Sequence, residues 1–197
     1  RAGMDDGRAT VIIVDDEPIT RMDLREILEG KGYIVIEEAN DGFDAILLCR
    51  KHHPDLVFMD VKMPLLDGMS ASQIIMEEKL AGTIILLTAY TDQKYVEGAK
   101  KNGVGGYMVK PIVEGAIIPT IELAMARSNE VQQLRRDMEK VSERLKSRIV
   151  IEQAKGRLMQ RGKIQEDDAY GYLRRVSQEK NVPIRRVAEY VLMQTGG

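Results

Sequence analysis

The sequence predicts an α/β protein: a doubly wound five-stranded parallel sheet, followed by a coiled-coil helix and a small all-α three-helix bundle. Three observations carry this. Short, wholly apolar runs recur as far as Val109, separated by amphipathic stretches, which is how parallel strands buried on both faces read. From Val131 the apolar spacing changes to alternating threes and fours, the seam of a heptad repeat. Beyond residue 150, three separate apolar stripes follow at helical spacing.

Taken in order, the first part predicts a strand over 11–14, a helix over 18–30, a strand over 33–37 and a helix over 42–51. A strand over 56–59, a helix over 68–79, a strand over 83–87, a helix over 92–101, a strand over 105–109 and a helix over 114–126 complete it. Gly30-Lys31-Gly32 stops the first helix, and Asn40-Asp41-Gly42 and Asn102-Gly103 supply turn chemistry. Strands alternating with helices imply a parallel sheet covered on both faces by right-handed crossovers. Cys49 falls within a predicted helix as a small core hydrophobe, and His52 and His53, ahead of Pro54, are expected in an exposed loop.

Val131, Leu134, Met138, Val141 and Leu145 form the heptad seam, with Glu130, Arg135, Arg136, Glu139, Lys140 and Arg144 around it. The expected partner of such a seam is a second copy, with packing on a neighbouring domain the alternative. Neither Gly nor Pro interrupts residues 120–155, so the helix is expected to run out of the first domain as a stiff spacer. In the last part Ile151, Ala154 and Leu158 mark the first helix. Ala169, Leu173 and Val176 mark the second, and Ile184, Val187, Ala188, Val191 and Leu192 the third. Gly162 is expected to end the first, Glu166-Asp167-Asp168 to open the second, and Pro183 to occupy the first turn of the third. The domains are thus expected at 8–126, 127–148 and 149–195.

A net charge of -2 conceals an asymmetry: residues 1–126 carry 13 Lys+Arg against 21 Asp+Glu, and residues 127–197 carry 16 against 10. The basic part is the candidate for a polyanionic partner. No apolar run reaches the length of a membrane span, and a single cysteine cannot form an internal disulfide, so the expected compartment is the cytoplasm. Arg1-Ala2-Gly3, ahead of Met4, is read as lying outside the fold.

The strand patterns end in chemistry. Asp15 and Asp16 follow Val11-Ile-Ile-Val14, Asp60 follows Leu56-Val-Phe-Met59, Thr88 follows Ile84-Ile-Leu-Leu87, and Lys110 follows Tyr107-Met-Val109. Doubly wound sheets place their sites at the carboxyl ends of strands, so these five converge in one crevice. Oxygen ligands there suit Mg2+. Asp60 can accept a phosphoryl group as an aspartyl phosphate, with Lys110 a compact cation and Thr88 a neutral donor for its oxygens. Each member alone has an ordinary reading as a cap or a turn; the set of five, closing four separate strands, does not.

Val14-Asp15-Asp16-Glu17, Met59-Asp60-Val-Lys-Met-Pro64 with Asp67-Gly68, Leu87-Thr88-Ala89 and Tyr107-Met-Val-Lys110-Pro111 resemble the receiver domain of two-component response regulators, a flavodoxin-like fold, over about residues 8–126. The resemblance implies phosphorylation of Asp60 by a sensor histidine kinase. It implies Mg2+ held by Asp15, Asp16, Asp60 and the backbone carbonyl of Lys62, and a cis peptide at Lys110-Pro111. Tyr107 would be a switch aromatic that moves inward when Thr88 turns toward phosphate, and the face built from 89–115 would dimerise on phosphorylation.

The basic part opens with Ala154-Lys155-Gly156, where Gly156 falls mid-helix at a cost of about 1 kcal/mol relative to alanine. Close packing of another helix or close approach of a ligand backbone should compensate. Ala154, Lys155 and Gly156, with Arg157, Arg161, Lys163, Arg174, Arg175, Arg185 and Arg186, are candidate RNA-binding residues, the cations as contacts to phosphates or bases, with a solvated helix surface the alternative for about half the arginines. Ala154, Lys155, Gly156 and Leu158, then Ala169, Tyr170, Leu173 and Arg174, then Val187 and Ala188 resemble the ANTAR family of RNA-binding antiterminator domains, over about residues 137–195. Gln165 departs from a good helix cap, where Ser or Thr would serve better. Tyr170 is expected in the core beside Ala169, with base stacking the alternative. The resemblance implies binding of tandem stem-loops in nascent mRNA leaders, which prevents a terminator hairpin from forming. Taken whole, the chain looks most like ethanolamine-utilisation antiterminator response regulators. The competing expectation is a phosphorylation-activated DNA-binding transcription factor, against which residues 177–183 lack the glycine of a tight helix-turn-helix. The carboxy-terminal part has no histidine or cysteine and no catalytic constellation, so no enzyme beyond self-phosphorylation is expected.

Overall fold

The computed structural model describes residues 8–89 and 103–194, which fall into two compact units dividing at Gln132/Gln133. The first unit holds β1 (Thr10–Val14), α1 (Pro18–Gly30), β2 (Ile34–Ala39), α2 (Gly42–His52), β3 (Leu56–Asp60), α3 (Gly68–Glu77), β4 (Thr83–Ala89) and β5 (Gly106–Lys110). A long helix α4 (Glu114–Gly162) begins there and ends in the second unit, followed by α5 (Glu166–Lys180) and α6 (Ile184–Met193). The expected helix over 92–101, and Asn102, lie outside the described residues.

The strands pair in the order β2-β1-β3-β4-β5, every pair parallel, as expected for a doubly wound sheet. Alternation along each strand sends side chains to opposite faces. Ile12, Val14, Val57, Met59, Ile84 and Leu86 pack with Ala45 and Cys49 of α2 and Ala71 and Ile75 of α3. Val11, Ile13, Leu56, Phe58, Ile85 and Leu87 pack with Leu24 and Leu28 of α1 and Ile117, Ile121 and Ala124 of α4. Each fully buried aliphatic or aromatic side chain contributes about 1.5–3 kcal/mol, so the sheet is held from both sides. Burial pushes the Cys49 thiol up to about 12, consistent with a packing role.

Helix starts follow local chemistry. Asp41 Oδ1 accepts the Asp44 N–H at 3.0 Å ahead of α2, and Asp67 Oδ1 accepts the Ser70 N–H at 2.9 Å ahead of α3. Pro18 occupies the first turn of α1, where a missing N–H costs nothing.

Several boundaries differ from expectation. β2 runs from Ile34 to Ala39, because the Tyr33 N–H closes α1 by donating to Leu28 and a bulge between Val11 and Ile12 carries the pairing on through Glu37 and Glu38. α3 stops at Glu77, with Lys79 at a φ of 56°. His52 is not in a loop: it closes α2, half-buried with Nε2 3.5 Å from Glu37 Oε1, and His53 ends the helix at a φ of 46°. Lys110-Pro111 is cis, as the family resemblance implied.

α4 continues without a break through the heptad segment into the second unit, and Val131, Leu134, Met138, Val141 and Leu145 all remain exposed on it. In the second unit Ala154, Leu173, Val187, Ala188 and Val191 form the core of a three-helix bundle, with Ile151, Leu158, Val176, Ile184 and Leu192 at its edges. Those are the residues of the three expected stripes, and Ala169 is also fully buried. Pro183 sits one residue ahead of its expected place, as the N-cap of α6. Gln165 precedes α5 without a side-chain capping bond.

Candidate functional site: an acidic crevice and a basic bundle

Four adjacent strands deliver the crevice. Asp60 ends β3 opposite Leu87, Ala89 on β4 stands opposite Lys110 on β5, and Val14, paired with Met59, hands the chain directly to Asp15. Asp15 is fully buried, Asp60 and Thr88 nearly so, and Asp16 is exposed. Lys110 Nζ lies 2.7 Å from Asp15 Oδ2, 3.4 Å from Asp60 Oδ2 and 3.7 Å from Glu17 Oε1.

The electrostatics follow from crowding like charges under a low-dielectric roof. Burial, and then the facing charge of Asp15, push the Asp60 carboxyl up to about 6 against the opposing pull of Lys110, and Asp16 adds to the rise. Burial works to lower the Lys110 ammonium, but its bond to Asp15 and the charges of Asp60, Asp15 and Glu17 leave it raised.

One donor oxygen from each of Asp15, Asp16 and Asp60 lies within 4.8 Å of the others. Hard carboxylate oxygens at that spacing fit a divalent cation such as Mg2+ and suit soft-ligand metals poorly. Lys62, whose carbonyl was expected to join them, follows Val61 in the loop after β3 with its side chain outward. Thr88 Oγ1 donates to the Ala89 carbonyl at 3.2 Å, and the Tyr107 side chain is about half exposed.

Glu17 and Gly68, members of the receiver-like motifs, support the crevice in ways those motifs do not state. Glu17 donates its N–H to Asp15 Oδ1 at 2.9 Å and adds its carboxylate beside Lys110, so it orients one acid of the cluster. Gly68 is more than a turn residue. A Cβ there would collide with the Asp60 carbonyl, and its N–H donates to Val61 at 2.9 Å while Val61 donates to Leu87 at 2.9 Å. The signal was available: a glycine directly after a capping aspartate, opening a helix that must lie against a strand end.

The expected nucleic-acid residues of the bundle divide sharply. Ala154 is fully buried, so it can act only through packing, a correction to its expected contact role. Lys155 is likewise no free surface cation: its side chain is largely buried, and Nζ donates to Glu152 Oε1 at 2.9 Å and Glu166 Oε1 at 2.7 Å. The Glu166 bond above all, then that to Glu152, raises its pKa, and the same bond lowers that of Glu166. Arg157 and Arg161 tie α4 to the end of α6, donating to the carbonyls of Leu192 and Gln194. Arg185 binds Glu143 and Glu189, and Arg186 pairs with Glu189. Arg174 and Arg175 are exposed, with Arg175 over the Tyr172 ring. Gly156 is exposed as well. Tyr170 corrects a further expectation: it is 44% exposed, turned away from the core that Ala169 joins.

Known proteins place both units. A model described as the response regulator receiver domain matches residues 11–122, and one described as the ANTAR domain matches residues 139–192. The transcriptional regulatory protein PdtaR of Mycobacterium tuberculosis is 41% identical over 186 residues, covering 94% of this chain and 90% of that protein. The chemotaxis protein CheY of Halobacterium salinarum is 35% identical over 111 residues, 56% of this chain and 92% of its own. The crystal structure of a CheX–CheY–BeF3–Mg complex from Borrelia burgdorferi shares 29% identity with a TM-score of 0.56, covering 60% of this chain and 91% of that one. Among the described residues no helix is long and apolar enough to cross a membrane. With the acid cluster at the strand ends and both units matched in order along one chain, the protein belongs to the response regulators, with a receiver domain followed by an ANTAR output domain.

Proposed function

We propose that the chain is a phosphorylation-switched RNA antiterminator of the cytoplasm. The observation that carries the proposal is the junction of a cation-ready carboxylate cluster, two of its three acids buried, with an ANTAR domain in one chain. A sensor histidine kinase presents a phosphohistidine to the crevice. An Asp60 oxygen attacks phosphorus as the P–N bond breaks, and the electron pair leaves with the imidazole, which takes up a proton. Lys110 and Thr88 receive the transferred oxygens, since charge spread over those oxygens is what the site must stabilise. Asp15, Asp16, Asp60 and the Lys62 carbonyl are the residues that would hold Mg2+, which supplies the positive charge that lets the carboxylates and the phosphoryl group coexist. The Borrelia relative's structure, with its BeF3 and Mg, supports that reading of the crevice.

Phosphorylation then turns Thr88 toward the new phosphoryl oxygen and lets Tyr107 follow inward. Receiver pairing brings two heptad seams together, a reading supported by the exposure of Val131, Leu134, Met138, Val141 and Leu145 on α4. A dimer presents two ANTAR bundles to tandem stem-loops in a nascent mRNA leader, and linkage raises the effective concentration for the second loop. Occupied hairpins cannot rearrange into a terminator.

The experiment is a pair of titrations, one with a labelled tandem-hairpin leader RNA and one with the matching duplex DNA. Tighter binding of the hairpins is expected. Tighter binding of the duplex would replace the proposal with a DNA-binding regulator.

A further inference from the structure

Asp15 and Asp16 are neighbours in sequence yet are held by different means. Asp15 is fully buried, and its carboxylate is fixed by the Glu17 N–H at 2.9 Å and by the Lys110 ammonium at 2.7 Å. Asp16 is exposed, so no packing aims its side chain, and where its carboxylate points depends on the backbone that carries it. That backbone is braced on both sides of Asp15. The Asp15 N–H donates to the Ala39 carbonyl of β2 at 3.1 Å, and the Asp15 carbonyl accepts Arg21 Nη1 of α1 at 2.7 Å. A peptide group is planar, so holding the Asp15 oxygen also holds the N and Cα of Asp16.

Arg21 is itself pinned. Its N–H donates to the Glu17 carbonyl at 3.3 Å as α1 begins, and its Nε lies 4.0 Å from Glu38 Oε1 on β2. A guanidinium can serve a carbonyl and a carboxylate at once from one rigid fork. On this geometry, and resting on the Mg2+ reading of the crevice above, we propose that Arg21 is a positioning residue of the cation site. It fixes the Asp15–Asp16 peptide and so presents Asp16 to the ion, without touching the ion itself. By charge alone, a guanidinium beside the acid cluster would oppose a divalent cation. Its bond and its charge therefore act in opposite directions on Mg2+ affinity, which makes the two separable.

The test is calorimetric titration of the full chain with Mg2+ alone. Arg21→Met should weaken Mg2+ binding about ten- to a hundredfold, the range for a residue that orients a metal ligand. Arg21→Lys keeps a donor and the charge and should stay within about threefold of the parent. Arg25→Met is the control: it removes a cation and a Glu38 partner from the same helix but no bond to Asp15, so it should bind Mg2+ as the parent does. In the metal-free chain, the backbone amide order parameter of Asp16 should fall in Arg21→Met and not in Arg25→Met. Should Arg21→Met not fold, Arg21→Gln, whose amide is too short to reach the carbonyl, makes the same comparison. Tighter Mg2+ binding in Arg21→Met overturns the proposal, because Arg21 would then act only as a charge. A loss of equal size in Arg21→Lys or in Arg25→Met overturns it too. If the parent binds Mg2+ and Arg21→Met binds it equally well, only the positioning role falls; if the parent binds no Mg2+, the cation reading of the crevice falls with it.

Discussion

Lys110 in the receiver and Lys155 in the output bundle are built alike and used differently. Each ammonium is largely covered and lies within 3.4 Å of two carboxylates. Around Lys110, Asp15 and Asp60 are buried and crowded, and burial together with the charge of Asp15 pushes Asp60 up to about 6. Around Lys155 the carboxylates face solvent, Glu166 is lowered, and the three charges settle into a local lock between α4 and α5. The two clusters differ in the burial of their anions, not of their cation.

Four substitutions test that difference. The largest effect is expected from Gly68→Ala, which drives a methyl into the Asp60 carbonyl. It should cost about 3 kcal/mol or more in denaturant unfolding and abolish phosphoryl uptake. Lys110→Met should follow, leaving two buried carboxylates without their cation, at a cost of about 3 kcal/mol. Millimolar Mg2+ should restore much of that stability though not phosphorylation, and a denaturation curve insensitive to Mg2+ would remove the cluster as a cation site.

Asp60→Asn should stabilise the protein, and the sign depends on pH. The folded state binds the Asp60 proton more tightly than the unfolded chain, so ionisation opposes folding. That opposition is absent below pH 3.8 and full above about pH 6. The variant should therefore gain about 1–2 kcal/mol at pH 7.5, after allowing for residual solvent screening, and nothing at pH 3.5. An equal gain at both values would mean the effect is not electrostatic. The smallest change is expected from Lys155→Met: a slight fall in melting temperature, indifferent to Mg2+, because its carboxylates can return to water. A fall as large as that of Lys110→Met would erase the distinction between the two sites.

The same contrast explains what the residues disclosed unaided. Strand-end chemistry is legible because a parallel strand buried on both faces has one exit for a polar side chain, so Asp15, Asp60, Thr88 and Lys110 can lie almost nowhere else. The three bundle stripes are legible for a similar reason: Ala154 and Leu158, Ala169 and Leu173, and Val187 and Val191 each repeat at helical spacing. Surface roles on short helices carry no such constraint. Lys155 reads as a free cation until Glu166, eleven residues on, is found beside it, and Tyr170 reads as core because Ala169 is. The bulge that lengthens β2 is a register shift between strands, which no local pattern announces.

If chemistry at Asp60 governs RNA binding by the second unit, one titration shows it: tandem-hairpin RNA affinity with and without beryllofluoride and Mg2+, for the parent chain and for Asp60→Ala. Adding the phosphoryl mimic should tighten binding by the parent and leave the variant unchanged. Equal affinity in the parent under both conditions, or an undiminished gain in Asp60→Ala, would contradict it.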